Sequence, residues 1–176
     1  QRGIVSPAEF IPIAEATGLI VPIGEWILTE VCQLLRQWRT DLERRHWRLA
    51  VNISERQLSH ERFVESVRGI LRDHSFDVGL TKKLEFEITE SMLMKNIEQA
   101  VTVIRELNDM GIQFAMDDFG TGYSSLNYLK MLPLDCVKID QSFVRDMQVD
   151  QSDAAIVEMV IALAKAMQLI VVAEGV

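Results

Sequence analysis

The 176-residue sequence is poor in cysteine, proline and glycine, with two Cys, four Pro and nine Gly. Two cysteines cannot build a disulfide framework, and we expect Cys32 and Cys136 to be buried, reduced thiols of a cytoplasmic protein. The few Pro and Gly are spread along the chain, which excludes collagen-like, low-complexity and linker segments. The apolar content of 48% excludes intrinsic disorder and fits one soluble globular domain, or a large part of one.

Cationic side chains are scarce as well, since 18 Lys and Arg stand against 26 Asp and Glu, for a net charge of −8. Affinity for nucleic-acid phosphates comes from clustered Lys and Arg, so duplex DNA or RNA is not expected as a partner. A small anionic ligand held through metal ions is compatible with this charge. The three histidines lie away from the predicted strand ends, which argues against a histidine-rich zinc site (His46, His60 and His74).

The chain has no long uninterrupted apolar run. Its most apolar segment, residues 154–173, contains Glu158, Lys165 and Gln168. A membrane-spanning helix needs about 20 consecutive, predominantly apolar residues. We therefore predict a helix followed by a buried strand in this segment.

Helical and strand patterns alternate along most of the chain. Ser6, Pro7 and Glu9 predict a first helix with a capping box, which Gly18 ends, and a second helix runs from about Pro22 to Arg45. The apolar stripe predicted for the second helix consists of Trp26, Ile27, Val31, Leu34, Leu35 and Trp38. Five predicted strands follow at Leu49–Ile53, Leu84–Ile88, Gln113–Asp117, Cys136–Asp140 and Ile170–Glu174. Four predicted helices alternate with them at Ser59–Arg72, Ile97–Met110, Ser124–Leu132 and Ser152–Gln168.

This alternation predicts an α/β fold with a parallel sheet. A closed TIM-type (β/α) barrel needs eight such units and about 250 residues, so this chain would supply five units and two leading helices. An open doubly wound sheet also fits the count. The first strand lacks the G-x-G-x-x-G fingerprint of the dinucleotide-binding version.

Each predicted strand carries a polar side chain at or near its C-terminal end. Because side chains alternate along a strand, one face of each strand is wholly apolar or small and should pack on the helices. The other face carries the polar group of each strand in turn: Asn52, Glu87, Asp117, Lys138 with Asp140, and Glu174. A single such residue can simply cap a helix or face water, but that explanation fits five successive strands poorly.

Parallel strands place their C-terminal ends at one edge, where α/β proteins build active sites. Carboxylates buried together there would stay ionised only with cations among them, and an all-oxygen set suits Mg²⁺ or Mn²⁺. Asp117 is followed directly by Asp118. We expect one to face the interior and the other to start the loop, an arrangement that can hold two metals about 3.5–4 Å apart. Gly120 and Gly122 predict a tight, mobile loop over residues 120–125 that can close over a ligand.

These motifs resemble the EAL domain family, the cyclic di-GMP phosphodiesterases of bacterial second-messenger signalling. The resemblance runs through six segments along the whole chain: SPAEFIP with AE (6–12 and 14–15), VNIS (51–54), EITE (87–90), DDFGTGYSS (117–125), KID (138–140) and AEGV (173–176). It implies a modified TIM-type barrel that binds two Mg²⁺ or Mn²⁺ and hydrolyses cyclic di-GMP to linear pGpG.

The resemblance also assigns expected roles to individual residues. Three match the ligands of the first metal, namely Asn52, Glu87 and Asp117. Asp117 would also bridge to the second metal, which Asp118 helps to hold. Lys138 matches the lysine that contacts the attacking water, and Glu174 matches a glutamate that serves the second metal or acts as a base. Glu90 matches the residue that anchors the loop of Gly120 and Gly122, and Asp140 would lie near the substrate.

Two motifs of the family are missing from the chain. The Glu-Ala-Leu signature, with a further glutamate ligand, would lie just before Gln1, and the last strands with a Gln-Gly motif would follow Val176. We therefore expect residues 1–176 to be one partial domain, poorly active alone. We also expect the full-length protein to carry a sensor or GGDEF domain, with membrane anchoring possible through other segments.

Two functions are open at this stage. The first is a phosphodiesterase that Ca²⁺ inhibits, and the second is a non-catalytic receptor or protein-interaction module. The retained metal-ligand and loop motifs favour the enzyme over the receptor and over an unrelated barrel enzyme. We also predict a homodimer through the helix Ser124–Leu132, which would expose Tyr128, Leu129 and Met131. The alternative is that these three residues pack only on the barrel.

Overall fold

The computed structural model describes residues 3, 5–93, 96–120 and 126–176, without the side chains of residues 126–128. Five strands lie within these ranges: β1 (Leu49–Asn52), β2 (Leu84–Thr89), β3 (Gln113–Phe119), β4 (Cys136–Ile139) and β5 (Ile170–Ala173). The first five helices are α1 (Pro7–Thr17), α2 (Ile20–Trp38), α3 (Glu55–Leu58), α4 (Phe63–Asp73) and α5 (Val78–Thr81). The others are α6 (Glu90–Leu93), α7 (Ile97–Asp109), α8 (Leu126–Met131), α9 (Gln141–Asp146) and α10 (Gln151–Met167).

The five strands form one parallel sheet in the order β1-β2-β3-β4-β5. A doubly wound sheet reverses its strand order at a switch point, whereas this order is sequential throughout. Right-handed crossovers in a sequential sheet place every helix on one side and leave the other side as a barrel interior. The parallel α/β prediction is confirmed, and the strand order identifies the sheet as part of a TIM-type barrel.

The hydrophobic core lies between the outer face of the sheet and the helices. Phe86 and Phe114 on neighbouring strands are fully buried and meet edge to face, with ring centroids 5.7 Å apart. Helices α2, α4 and α7 cover them with buried residues that include Leu35, Val67 and Ile104. The opposite face of the sheet is exposed on the two edge strands, at Ala50 and Asn52 of β1 and at Ile170 and Val172 of β5. The predicted alternation of faces is therefore confirmed.

The start of α1 differs from the prediction in one detail. Ser6 is the N-cap and Pro7 the first helical residue, but the Ser6 side chain makes no capping hydrogen bond, so the capping box predicted with Glu9 is wrong. Gly18 ends the helix with a φ of 83°, as predicted. A complete capping box occurs instead at α3, between Ser54 and Gln57.

Helix α2 is shorter than predicted, and only half of the predicted stripe packs on the core, with Leu35 buried and Val31 and Trp38 partly buried. It ends at Trp38 rather than near Arg45, and Asp41 then accepts hydrogen bonds from the amides of Glu43 and Arg44 in a turn. The residues it buries are Ile20, Leu28, Cys32 and Leu35, whereas Trp26, Ile27 and Leu34 of the predicted stripe are exposed. Both cysteines are buried and free, as predicted.

Within the described ranges, no single helix has both the length and the apolar character needed to cross a membrane. Helices α1 and α2 together meet the length and composition criteria, but they are bent by 119° at the break between them.

Candidate active site

A β-bulge shapes the candidate site at the end of β3. Two residues of β3, Asp117 and Asp118, stand opposite one residue of β4, Lys138, because the register shifts between Met116 and Phe119. Asp118 has a φ of 52°, in the left-handed region, which is uncommon for a residue with a Cβ but best tolerated by Asp and Asn. The strand continues to Phe119, so the expectation that Asp118 simply starts the loop is wrong.

The bulge brings both aspartates toward the end of β5. Asp117, Asp118 and Glu174 each offer a carboxylate oxygen, and these oxygens all lie within 4.8 Å of one another. The backbone N–H of Glu174 donates to the carbonyl of Ile139 at 3.2 Å, which extends the pairing of β4 and β5 to the level of the site. Three carboxylates from two strand ends can therefore contact one small cation.

Lys138 occupies the centre of the carboxylate group. Its Nζ lies 2.9 Å from Glu87 Oε1, 3.0 Å from Asp117 Oδ1 and 2.6 Å from Glu174 Oε1. The exposed fraction of the four side chains is 10–14% for three of them and 30% for Glu174. One ammonium group thus pairs with carboxylates from β2, from β3 and from the residue after β5.

The charge of Lys138 depends on these contacts. Burial lowers its pKa, but the close contacts with Glu174, Glu87 and Asp117 outweigh burial, and the resulting pKa is raised well above the usual range. Lys138 therefore stays protonated at neutral pH. It can donate hydrogen bonds and offset negative charge, but it cannot accept a proton.

Asp118 and Asp140 form a second, linked part of the site. Burial raises the pKa of Asp118, and the charges of Asp117, Asp140 and Glu174 raise it further. Asp140 accepts hydrogen bonds from the hydroxyl and the backbone N–H of Ser142, the latter at 2.9 Å, and these bonds lower its pKa. The contact between the two side chains contributes to both shifts, raising the pKa of Asp118 and lowering that of Asp140.

The donor set fits a divalent cation. Every donor in the cluster is an oxygen, which is the ligand type that Mg²⁺ and Mn²⁺ prefer. Burial and the neighbouring carboxylates raise the pKa of Asp118, and a bound cation would offset the repulsion among these carboxylates. Asn52 pairs in register with Glu87, so its side chain lies on the same face of the sheet, and it is exposed. The ligand roles of these residues stay predictions.

Three further predicted residues, Glu90, Gly120 and Gly122, belong to the proposed loop and its anchor. Both carboxylate oxygens of Glu90, at the start of α6, are buried and have no hydrogen-bond partner among the described residues. Gly120 has a φ of 100°, and a Cβ there would lie 3.1 Å from the ring of Phe143. Gly122 and the remainder of the loop, residues 121–125, lie outside the described residues.

The predicted dimer helix is only partly as expected. Helix α8 spans Leu126–Met131, and Leu129 is 3% exposed, so the prediction that Leu129 lies on the surface is wrong. Its side chain belongs to the core because the short helix packs on the barrel. Met131 is 42% exposed, as predicted, and the side chain of Tyr128 lies outside the described residues.

Three residues of the site were missed in the sequence. Ser142 fixes Asp140, and Gln141 packs against Gly175, whose φ is 75°. Glu85 lies two residues before Glu87 on β2, and burial and then the charge of Glu87 raise the pKa of Glu85. Two of them had a detectable signal: Asp-x-Ser is a common helix-capping sequence, and side-chain alternation puts Glu85 on the same face of its strand as Glu87.

A sequential parallel sheet with carboxylates gathered around a lysine at its C-terminal edge defines a TIM-type barrel protein with an acidic site. The chain belongs to the EAL domain family, whose profile matches residues 1–176.

Two curated relatives illustrate the similarity. One is the bifunctional diguanylate cyclase/cyclic di-GMP phosphodiesterase MucR of Pseudomonas aeruginosa, 44% identical over 176 residues. The other is the cyclic di-GMP phosphodiesterase PdeR of Escherichia coli, 40% identical over 176 residues. Both matches cover 100% of this chain, but the chain spans only 25% and 26% of the two relatives.

Solved structures share the fold over the same length. The phosphodiesterase PaMucR in complex with c-di-GMP has a TM-score of 0.91 and 44% identity, and the match covers 100% of this chain and 70% of that one. The FimX EAL domain from Pseudomonas aeruginosa bound to c-di-GMP has a TM-score of 0.83 and 26% identity, and it covers 96% and 65%.

Proposed function

We propose that this domain hydrolyses cyclic di-GMP to linear pGpG by a two-metal mechanism in the cytoplasm. The observation that carries the proposal is the contact of Lys138 with the carboxylates of Glu87, Asp117 and Glu174, beside Asp118. Relatives at 40–44% identity are named cyclic di-GMP phosphodiesterases, which supports the choice of substrate.

The residues that would hold the cations are divided between two sides of the site. Asn52, Glu87 and Asp117 would bind the first Mg²⁺ or Mn²⁺. Asp117 would bridge to the second, together with Asp118 and Glu174. When bound, the cations would polarise the scissile phosphate and lower the pKa of a bound water.

Lys138 and Glu174 would orient and deprotonate the attacking water. Lys138 stays protonated and lies within reach of three carboxylates, so it can donate to a water held among them and offset the charge that develops on the phosphate. Glu174 is the most exposed of the three carboxylates and can accept the proton of that water. The water oxygen forms the new P–O bond, the bond to the ribose O3′ breaks, and O3′ takes a proton from solvent.

The test is turnover of cyclic di-GMP by the full-length protein with Mg²⁺ or Mn²⁺, followed by chromatography of the products. We expect pGpG from the wild type and from Glu158→Gln, which changes an exposed acid on α10. Glu174→Gln should lose turnover. Tight binding of cyclic di-GMP without any product would contradict the enzyme and identify a receptor.

We also propose that the domain forms a homodimer in the region of α8, as part of a longer protein with further domains. Met131 on α8 is exposed and apolar, and it offers one contact for a second copy. Sedimentation of the wild type and of Met131→Glu tests this, with Met159→Glu on α10 as a control at a methionine that is also exposed. A wild type that stays monomeric would contradict the dimer.

A further inference from the structure

Cationic side chains are concentrated in two short segments, although the chain as a whole is acidic. Residues 39–48 and 82–83 contain six of the 18 Lys and Arg but only two of the 26 Asp and Glu. These twelve residues therefore carry a net charge of +4, and the rest of the chain, with 12 cations and 24 acids, carries −12. We call the surface that the two segments form the basic face, and its cations are Arg39, Arg44, Arg45, Arg48, Lys82 and Lys83.

The structure brings the two segments together at one end of the sheet. Strands β1 and β2 begin directly after them, and the backbone N–H of Leu49 donates to the carbonyl of Lys83 at 2.9 Å. The ammonium group of Lys83 also donates to the carbonyl of Arg45. Because the strands are parallel, the basic face lies at their N-terminal ends, whereas the carboxylate site lies at the opposite, C-terminal edge of the sheet.

Most cations of the basic face are available to a partner. Five of the six are exposed, namely Arg39, Arg44, Arg45, Arg48 and Lys82. Asp77 offsets the charge of Arg39 at 3.0 Å, and Arg44 lies 3.9 Å from Asp41. Arg45 and Lys82 have no acidic partner among the described residues. Exposed cations with so few acids beside them are complementary to a surface of closely spaced negative charges.

Two exposed apolar side chains lie among these cations. Leu42, in the turn after α2, is 78% exposed, and Trp47 is 52% exposed. The ring of Trp47 meets that of Trp38 edge to face, with centroids 5.5 Å apart, and the guanidinium of Arg44 lies 5.9 Å from the Trp47 centroid. The indole of Trp47 is thus held by protein contacts while about half of the residue stays open to solvent.

This combination of side chains favours a lipid surface over a nucleic acid. Nucleic-acid phosphates would pair with the cations but would leave Leu42 in water. At an anionic bilayer the headgroups attract Lys and Arg, apolar side chains enter the headgroup layer, and Trp is enriched at that level. The same bilayer would repel the acidic remainder of the chain, so contact through the basic face would also orient the domain.

We propose that the basic face docks the domain on an anionic lipid surface, with Leu42 and Trp47 in the headgroup layer. In that orientation the C-terminal edge of the sheet is directed away from the bilayer, so the carboxylate site stays open to a ligand from solution. The inference does not depend on the proposed function, because no residue of the basic face belongs to the carboxylate site.

The experiment measures co-sedimentation of the full-length protein with phosphatidylcholine vesicles that contain or lack phosphatidylserine. The wild type should bind the phosphatidylserine vesicles, and high salt should release it. Arg45→Gln combined with Lys82→Gln should weaken this binding by about 25-fold, since each cation near an anionic surface contributes about fivefold. The matched control is Arg62→Gln combined with Arg145→Gln, which removes two exposed cations at the other end of the sheet and should bind as the wild type does.

A second pair of variants separates the apolar contact from the charge. Leu42→Asn should weaken binding to the phosphatidylserine vesicles by about three- to tenfold, because its side chain leaves water on docking. Val149→Asn, between α9 and α10 at a valine that is also exposed, should bind as the wild type does.

Four results would overturn the inference. They are a wild type that binds both kinds of vesicle equally or neither of them, equal binding of the two double variants, and wild-type binding by Leu42→Asn. The fourth is transfer of the vesicle-bound protein to a short DNA duplex, which would identify a nucleic-acid partner. None of these results bears on turnover of cyclic di-GMP, so a failure of this inference is distinct from a failure of the proposed function.

Discussion

Replacement of Lys138 by methionine should destabilise the domain when no divalent cation is present. The wild-type Nζ lies 2.6–3.0 Å from three carboxylates, and its positive charge offsets their negative charges. Methionine has a similar length and fills the same space without the charge. Glu87, Asp117 and Glu174 would then repel one another in a largely buried site.

The size of the effect follows from the burial of these groups. Removal of one partner of a buried ion pair costs about 3–5 kcal/mol of unfolding free energy, because a charge is left uncompensated. The carboxylates here are 10–30% exposed, so water compensates them in part. We therefore expect a smaller loss, of about 2–3 kcal/mol. For a domain of this size that is a decrease in Tm of about 5–10 °C.

The assay is thermal unfolding by far-UV circular dichroism, in EDTA and then with Mn²⁺. Mn²⁺ should restore most of the lost stability of Lys138→Met, since it supplies the missing positive charge. Asp117→Asn is the matched variant, because it removes one of three carboxylates on the same ammonium. Its stability should change little or rise, while turnover is lost. Lys138→Met with wild-type stability in EDTA, or Asp117→Asn with an equal loss, would refute this account of the cluster.

Three further predictions concern other parts of the molecule. Ca²⁺ should inhibit turnover of cyclic di-GMP, because it accepts looser and higher coordination than Mg²⁺; equal rates with the two ions would contradict this. Glu90→Ala should weaken Mn²⁺ binding and turnover without loss of the fold, since both buried oxygens lack a partner among the described residues; unchanged Mn²⁺ affinity would exclude the predicted loop anchor. Burial raises the pKa of Cys32 to about 12 and, with the charge of Glu85, that of Cys136 to about 11, so neither thiol should react with a thiol reagent at pH 8 before unfolding. Both folded pKa values lie above the unfolded value, so the unfolding free energy should fall as the pH rises above about 9, by up to about 1.4 kcal/mol per pH unit for each thiol.

The carboxylate cluster was predictable because side-chain alternation is a fixed property of a strand. On their predicted strands, Glu87 and Lys138 both fall on the face away from the apolar residues, because side chains alternate between the two faces. In the structure, Lys138 Nζ lies 2.9 Å from Glu87 Oε1. The order of the strands in the sheet could not be predicted from the alternation of side chains. Side-chain alternation is a local property of each strand, whereas the strand order depends on how the helical crossovers pack over the whole sheet.

The helices were less predictable because several surfaces compete for their apolar residues. Helix α2 carries apolar side chains around much of its circumference, so the sequence allowed more than one buried face. The structure buries Leu28, Cys32 and Leu35 and exposes Trp26. Short helices such as α9 have too few residues for a periodic pattern, which is why α9 itself was not predicted.

The bulge at the end of β3 connects the least predictable feature to the chemistry. Two adjacent aspartates in a regular strand would point to opposite faces, and the sequence alone favoured that arrangement. The positive φ of Asp118 and the gathering of like charges both cost free energy, so a favourable interaction must offset them. Lys138 provides that interaction, and it is the single residue opposite the two-residue bulge. The extra residue in β3 thus keeps Asp117 in contact with Lys138 and brings the carboxylate of Asp118 close to those of Asp117 and Glu174.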